Sequence, residues 1–435
     1  MGVPSRPTAY GARASLARVR ILLATDFYAP LLGGAQRATE LLARELQARG
    51  YDVLVVTSWQ PGLPRVDDRD GVPVERVRDL VSRMRLLSSN PYQHIPPPWP
   101  DPEAVLSLRR IIRRFRPELV HSYGWLTYSV RAALTRTRIP LVLSARDYGN
   151  VCALGTLVYK GEERCSGPAP AKCLDCAGSF YGPLKGAAGV AGVLGGRRAL
   201  VRRLDALHSM SHYVQSVMDE HLLGVGDPRR LRANVVITDY GYLEEDDVPA
   251  DPTFLAKLPE EPYILYTGAL RVVKGVRVLL DAYARLSNRP PLVLLGMRTP
   301  DTPSTFPDGV HVHHDVPHAS VMAAWERALF GVFPSLWAEP LGIVVREAMS
   351  RGRPVIGTRP GGHEEMITDG ETGYLVQAGD VDALAARMQR LVDDPPLRER
   401  MGAAARSRVH ESTVADQVEA FEAVYRAALA GAARR

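Results

Sequence analysis

The chain has 435 residues, 46% apolar and 23% charged, with a net charge of +6 from 54 basic against 48 acidic side chains. That length predicts about two to four domains rather than one core. Thirty-seven Gly and 34 Pro spread without a period exclude a collagen-like or linker protein. No apolar run reaches the roughly 18 residues of a membrane span, and so weak a positive bias does not call for nucleic acid.

Residues 1–18 are predicted to be flexible. They show no apolar run of a secretory signal, and Arg6 stands where a myristoylation pattern needs Ser or Thr. A cytoplasmic protein is expected. Val19–Thr25 reads as a buried strand, then Gly33–Gly34 open an amphipathic helix to about Gly50, and Asp52–Thr57 is the next strand. Further strands are predicted at Leu119–Tyr123, Leu141–Ser144, Ala206–Met210 and Val235–Thr238. After an acidic, Pro-containing hinge at 244–261, a second series runs through Tyr263–Thr267, Leu292–Gly296, Val310–His314, Phe330–Phe333, Val355–Thr358 and Tyr374–Val376. Short apolar runs alternating with amphipathic segments predict an α/β protein with parallel sheets covered on both faces. The expected organisation is an N-terminal domain at 19–243, a C-terminal domain at 262–408, and a tail at 409–435. Val414, Val418, Phe421, Val424 and Tyr425 mark one helical face in that tail, which must dock, and the N-terminal domain is the expected partner. Asp79–Pro102 and the cysteine region fit the repeats poorly and read as substrate loops or disorder.

All four cysteines, Cys152, Cys165, Cys173 and Cys176, fall inside an insertion at 150–196 with the spacing C-x12-C-x7-C-x2-C. A tight C-x2-C pair with two further thiols suits a structural zinc site. Reduced structural thiols and a disulfide-pinned loop remain open beside it. Only five cations are Lys, at 160, 172, 185, 257 and 274, which draws attention to each.

The chemistry concentrates between Pro334 and Val376. There a strand ends, a loop carries Glu339, and a helix starts near Gly342, leaving the amides of Gly342, Ile343 and Val344 free to meet an anion. Glu347 follows inside the helix, within reach of a ribose diol. Taken alone, E-x7-E reads as a capped helix with two surface glutamates. The whole stretch PSLWAEPLGIVVREAMSRGRPVIGTRPGGHEEMI, however, resembles the signature of family-4 retaining glycosyltransferases of the GT-B fold. The resemblance implies two Rossmann-like, doubly wound domains facing across a cleft, with a nucleotide-sugar donor held by the second.

It also implies roles. Glu339 lies near the transferring sugar and Glu347 on the ribose, with Leu341 to Val344 on the donor; Glu365 matches a further signature position. TGALRVVKG resembles the diphosphate site, with Gly268 at the donor and Lys274 as the cation, but Ala269 stands where the family has Arg, leaving Arg271 as a substitute. YAPLLGGAQR resembles the family loop in which Gly33 and Gly34 approach the diphosphate. LSARDYG aligns with a His-Asp segment, here Arg146 and Asp147, which with His121 are expected on the acceptor side; a satisfied structural histidine is an equal reading of His121. No catalytic metal is implied, and Asp68-Arg69-Asp70 reads as a charged turn rather than a metal-binding DxD. The expected activity is sugar transfer, with retention, to a lipid-linked glycan, polysaccharide or small molecule. The alternatives are a partner-dependent subunit, motivated by Ala269 and Arg146, and a nucleotide-sugar epimerase. Two basic segments, Leu106–Arg116 and Gly195–Arg203, are where peripheral membrane contact is expected if it occurs.

Overall fold

The structure is a computed structural model, which describes residues 19–30, 33–83, 94–238, 249–409 and 413–434. The segment 1–18 and hinge residues 244–248 lie outside them. The strands are β1 Arg20–Thr25, β2 Asp52–Ser58, β3 Val66–Arg69, β4 Val72–Val77, β5 Leu119–Tyr123, β6 Leu141–Ala145, β7 Val158–Tyr159 and β8 Glu163–Arg164. They continue as β9 Ala206–Ser209, β10 Ala233–Val236, β11 Tyr263–Thr267, β12 Leu292–Leu295, β13 Val310–His313, β14 Ala328–Phe333, β15 Val355–Arg359 and β16 Gly373–Gln377.

An eight-stranded sheet runs β10-β9-β6-β5-β1-β2-β4-β3, and a six-stranded sheet runs β13-β12-β11-β14-β15-β16. Every ladder within these two sheets is parallel except that of β3 with β4. The predicted α/β class with parallel sheets is therefore the observed one. Alternation along β1 shows why both faces must be covered: Leu22 and Ala24 enter one core, Ile21 and Leu23 the other. The second core is closed by the helix Val414–Ala433, whose Val418, Phe421, Val424, Tyr425 and Ala428 lie on the N-terminal sheet. Glu422 on that helix pairs with Arg49 at 3.4 Å and accepts from the Tyr51 hydroxyl at 3.1 Å.

Two local differences from the sequence reading have physical causes. The hairpin β3–β4 carries no apolar alternation on β3, whose residues VDDR are exposed or half-buried. Its turn at Asp70 and Gly71, with φ of 52° and 84°, closes the Asp68-Arg69-Asp70 triplet, whose first two residues end β3. The cysteine region is ordered rather than loose, as the small hairpin β7–β8 and the helices Pro170–Tyr181 and Pro183–Val201. Its glycines, costly in a free helix, let the second helix come close: a Cβ on Gly196 would lie 2.6 Å from the Tyr128 ring.

Both basic segments pack part of their length into the N-terminal half. In the helix Pro102–Phe115, Val105, Leu108, Ile111 and Ile112 are buried in the N-terminal core, so its apolar stripe is already used. Arg197 donates to the His221 carbonyl at 2.6 Å, and Arg203 pairs with buried Asp205 at 3.0 Å. Among the described residues, no helix is long and apolar enough to cross a membrane.

Candidate active site

The carboxyl ends of β11 and β14 face the carboxyl ends of the N-terminal strands, where ligands of parallel α/β sheets bind. After β11 the chain turns through Gly268 into a short 3₁₀ turn at Val272–Lys274. Two contacts fix that turn. Asp301 accepts from the Val272 amide at 2.9 Å, and the Val273 carbonyl accepts from the Leu336 amide at 2.9 Å. Gly275, at φ 75°, sits so close to β14 that a Cβ would fall 1.8 Å from the Pro334 carbonyl oxygen. Only glycine allows this approach, and the approach delivers Lys274 to the loop after β14.

Lys274 Nζ donates to Glu339 Oε1 at 2.6 Å and lies 4.6 Å from the Trp337 ring centroid. The Ser335 hydroxyl donates to the same oxygen at 2.6 Å. Burial pushes the Glu339 carboxyl up, but the Lys274 charge, reinforced by His363 and these bonds, leaves it below its ordinary value. Glu339 is thus an anchored anion. Next, Gly342 (φ 92°) starts the helix Ile343–Ser350, its amide end directed at the cleft. Glu347, one turn in, accepts from His318 Nε2 at 3.2 Å.

The Gly361–Gly362 turn presses on this loop, with the Gly362 amide donating to the Glu339 carbonyl at 2.7 Å. His363 follows, buried, and its Nδ1 accepts from the Thr358 amide at 3.2 Å. Burial pushes its pKa down to about 4, so the ring is neutral and carries its proton on Nε2. Neither His363 nor Trp337 stood out in the sequence as a site residue, although GGHEE lies within the quoted signature.

Two adjoining cavities of about 250 and 220 Å³ lie here. Lys274, Glu339, Leu341 and Gly342 line the first, Gly33 and Glu347 the second, and Gly34, Gly268, Ile343 and Val344 both. The N-terminal half adds Arg146 and Met210 to the first and Arg37 to the second. A Cβ on Gly34 would lie 3.0 Å from Ile343 Cδ1, so glycine there lets the two halves touch at the helix start. Arg146 is held by Thr39 Oγ1 at 2.6 Å and stacks 4.4 Å over the Tyr123 ring.

Three expected residues sit elsewhere. Arg271 faces Asp301 at 3.9 Å and lines neither cavity, because the turn that brings Lys274 in sends Arg271 out. His121 is wholly buried between Tyr425 at 2.8 Å and Ser144 at 2.6 Å, and burial, with the charges of His208 and Arg146, holds its pKa well down. It tethers the C-terminal helix, the structural one of its two readings. Asp147 is turned to the Gly149 amide at 2.7 Å, and burial raises its pKa. Beside it, Asp26 accepts from the Trp125 and Leu126 amides at 2.8 and 2.7 Å, yet burial still pushes it up to about 7. No sequence signal marked Asp26, whose neighbours come from 99 and 100 residues away.

The zinc expectation is corrected. Among the described residues, no three His, Cys, Asp or Glu side chains are placed to hold a metal ion. Cys152, Cys165, Cys173 and Cys176 are free thiols; Cys176 accepts from the Lys160 amide at 3.2 Å and Cys165 donates to the Gly167 carbonyl at 3.5 Å. Burial, with Cys152 and Cys165 close by, pushes the Cys173 and Cys176 thiols up.

Two contacts tie the halves together around the site. The buried Tyr148 hydroxyl donates to the Ala338 carbonyl at 2.8 Å, next to Glu339. Glu365 meets His212 Nδ1 at 2.9 Å and accepts from the Tyr213 amide at 3.2 Å.

Comparison with known proteins agrees with this arrangement. Residues 33–234 match the glycosyl transferase 4-like domain and residues 247–408 match glycosyl transferases group 1. The chain is 28% identical over 396 residues to a D-inositol 3-phosphate glycosyltransferase of Arthrobacter sp. (strain FB24), covering 86% of this chain and 85% of that one. It is 26% identical over 418 residues to a glycogen synthase of Mycobacterium tuberculosis, covering 90% of each. Sucrose-phosphate synthase of Thermosynechococcus elongatus superposes with a TM-score of 0.71 at 21% identity, over 94% of this chain and 98% of that one. Anabaena HepE with UDP and glucose superposes at 0.64 and 15% identity, over 94% and 100%. Residues 33–234 and 247–408 thus match the two glycosyl transferase domain families in turn, and the fold is that of the GT-B glycosyltransferases.

Proposed function

We propose that the protein transfers a sugar from a nucleoside-diphosphate donor to an acceptor seated against the N-terminal half, with retention at the anomeric carbon. The observation that carries this reading is the Lys274–Glu339 pair at the free start of the helix Ile343–Ser350. The diphosphate lies on the Gly342–Val344 amides and Lys274, and Glu347 takes the ribose diol. As the bond from sugar to diphosphate breaks, the leaving group gains charge where Lys274 and the helix start are already fixed. The acceptor hydroxyl then attacks the oxocarbenium-like carbon on the face the leaving group vacates, and its proton passes to the departing diphosphate oxygen.

Glu339, held ionised by Lys274 and Ser335, has no proton to give. Its role is to anchor Lys274 beside the sugar, not to act as a glycosidase acid. Retention rests on the family resemblance. A nucleoside diphosphate is supported by the solved relatives bound to UDP, UDP-glucose or ADP. The acceptor class stays as broad as the sequence leaves it: a lipid-linked glycan, a polysaccharide or a small molecule. A nucleotide-sugar co-substrate fits a cytoplasmic location.

The test is thermal unfolding with UDP, GDP, ADP and dTDP, each in excess. A ligand at 100 times its dissociation constant adds about 2.7 kcal/mol. A rise in midpoint with one nucleotide identifies the donor class; no rise with any of the four overturns the reading.

A further inference from the structure

The cleft uses the carboxyl ends of the second sheet, and its amino ends border a separate groove. This hollow of about 1080 Å³ runs between the residues just ahead of β11, β14 and β15 and the helix Pro395–Val409. Strands of five or six residues rise about 17–20 Å, so the two sites lie at opposite ends of the strands.

Five arginines line the groove, Arg327, Arg351, Arg353, Arg398 and Arg406, against the carboxylates of Glu326 and Glu399. Three are fixed by backbone carbonyls, which orient a guanidinium without cancelling its charge. Arg327 donates to the Pro259 and Glu260 carbonyls at 2.6 and 2.7 Å, Arg353 to the Glu326 carbonyl at 2.6 Å, and Arg398 to the Val392 carbonyl at 2.9 Å. The Nε atoms of Arg351 and Arg353 are buried with no hydrogen-bond partner among the described residues. Burial, then the nearby charge of Arg406, lowers the pKa of Arg353. Like charges held together, at a cost to Arg353, favour an anion among them, and planar guanidinium forks suit phosphate oxygens.

We propose that this groove binds a small molecule carrying a phosphate or diphosphate group, contacted by Arg351, Arg353 and Arg406. The site is separate from the donor cavity and serves a second ligand.

Calorimetric titration of the full chain with inorganic pyrophosphate, and separately with glucose 6-phosphate, tests this. The proteins are the wild type, Lys274→Ala at the donor cavity, the double variant Arg351→Gln/Arg406→Gln, and Arg406→Gln alone. Arg406 is exposed, so the single variant leaves the fold intact. Saturable binding is expected in the wild type and in Lys274→Ala, weakened about tenfold or more in the double variant and less in the single one. The probe that binds distinguishes inorganic diphosphate from a sugar phosphate. Binding lost in Lys274→Ala but kept in the arginine variants would place the anion in the donor cavity and overturn the proposal. So would equal affinity in all four proteins, or no saturable binding of either probe.

Discussion

On the C-terminal side of the cleft, Lys274, Ser335 and Glu339 converge from two loops that touch backbone to backbone. On the N-terminal side, Gly34, Arg146 and Met210 come singly from the ends of β1, β6 and β9. The first arrangement is dense and charged, and glycines at fixed positions set it. The second is sparse, and its carboxylates, Asp26 and Asp147, line neither cavity. The difference teaches that the donor side is preorganised as one unit, whereas the acceptor side is a frame into which a second substrate brings its own groups.

Perturbing each side in turn sharpens that contrast. The largest effect is expected from Lys274→Ala, which removes the fixed cation facing the leaving group. We expect turnover to fall about 10²–10³-fold with a smaller rise in KM, read from nucleotide release. Wild-type turnover would break the claim of preorganisation. Next, Gly275→Ala puts a methyl into the Pro334 carbonyl at a left-handed backbone position and is expected to cost about 3 kcal/mol in denaturant unfolding. An unchanged midpoint would mean that the loops are not pressed together.

The buried titratable groups give the two halves opposite pH slopes. His363 has its pKa lowered to about 4, so between 6.5 and 4 the unfolded chain binds the extra proton and the fold loses stability as pH falls. Relative to His363→Asn, the wild type is expected to lose up to about 3 kcal/mol across that window. Asp26 is raised to about 7, so between 3.8 and 7 the folded chain holds the extra proton and stability is lost as pH rises. Asp26→Asn is expected to gain up to about 4 kcal/mol on the wild type over that range. Unfolding midpoints of each pair from pH 4 to 7.5 test both signs, and parallel curves would remove the assignments. The smallest effect is expected from Tyr148→Phe, which deletes one bond across the cleft and costs about 1 kcal/mol. A clear loss of kcat without loss of stability would give that bond a role in placing the Glu339 loop.

How much was legible follows the same division. The strands of both sheets other than β3 and β4, Lys274, Glu339 and the Gly342–Val344 helix start could be read because their signals are local: apolar runs, a glycine spacing, one contiguous signature. The structure still redirected individual residues. Arg271 fails because a tight turn separates side chains only three residues apart. The cysteines looked like a metal site by spacing, but spacing does not say where a thiol points. Leu106–Arg116 looked amphipathic and is, with its apolar face spent on the core. Asp26, Tyr148 and the bond from His121 to Tyr425 were beyond reach, because each depends on partners about 100 to 300 residues away.

The central claim is that the nucleotide lies along the start of the helix Ile343–Ser350. Titration of the nucleoside diphosphate that shifts the unfolding midpoint, into wild type and Glu347→Ala, tests it most directly. Loss of two ribose hydrogen bonds to a charged group predicts affinity weaker by about tenfold or more, with the unliganded midpoint little changed. Equal affinity in the two proteins would contradict the placement of the donor.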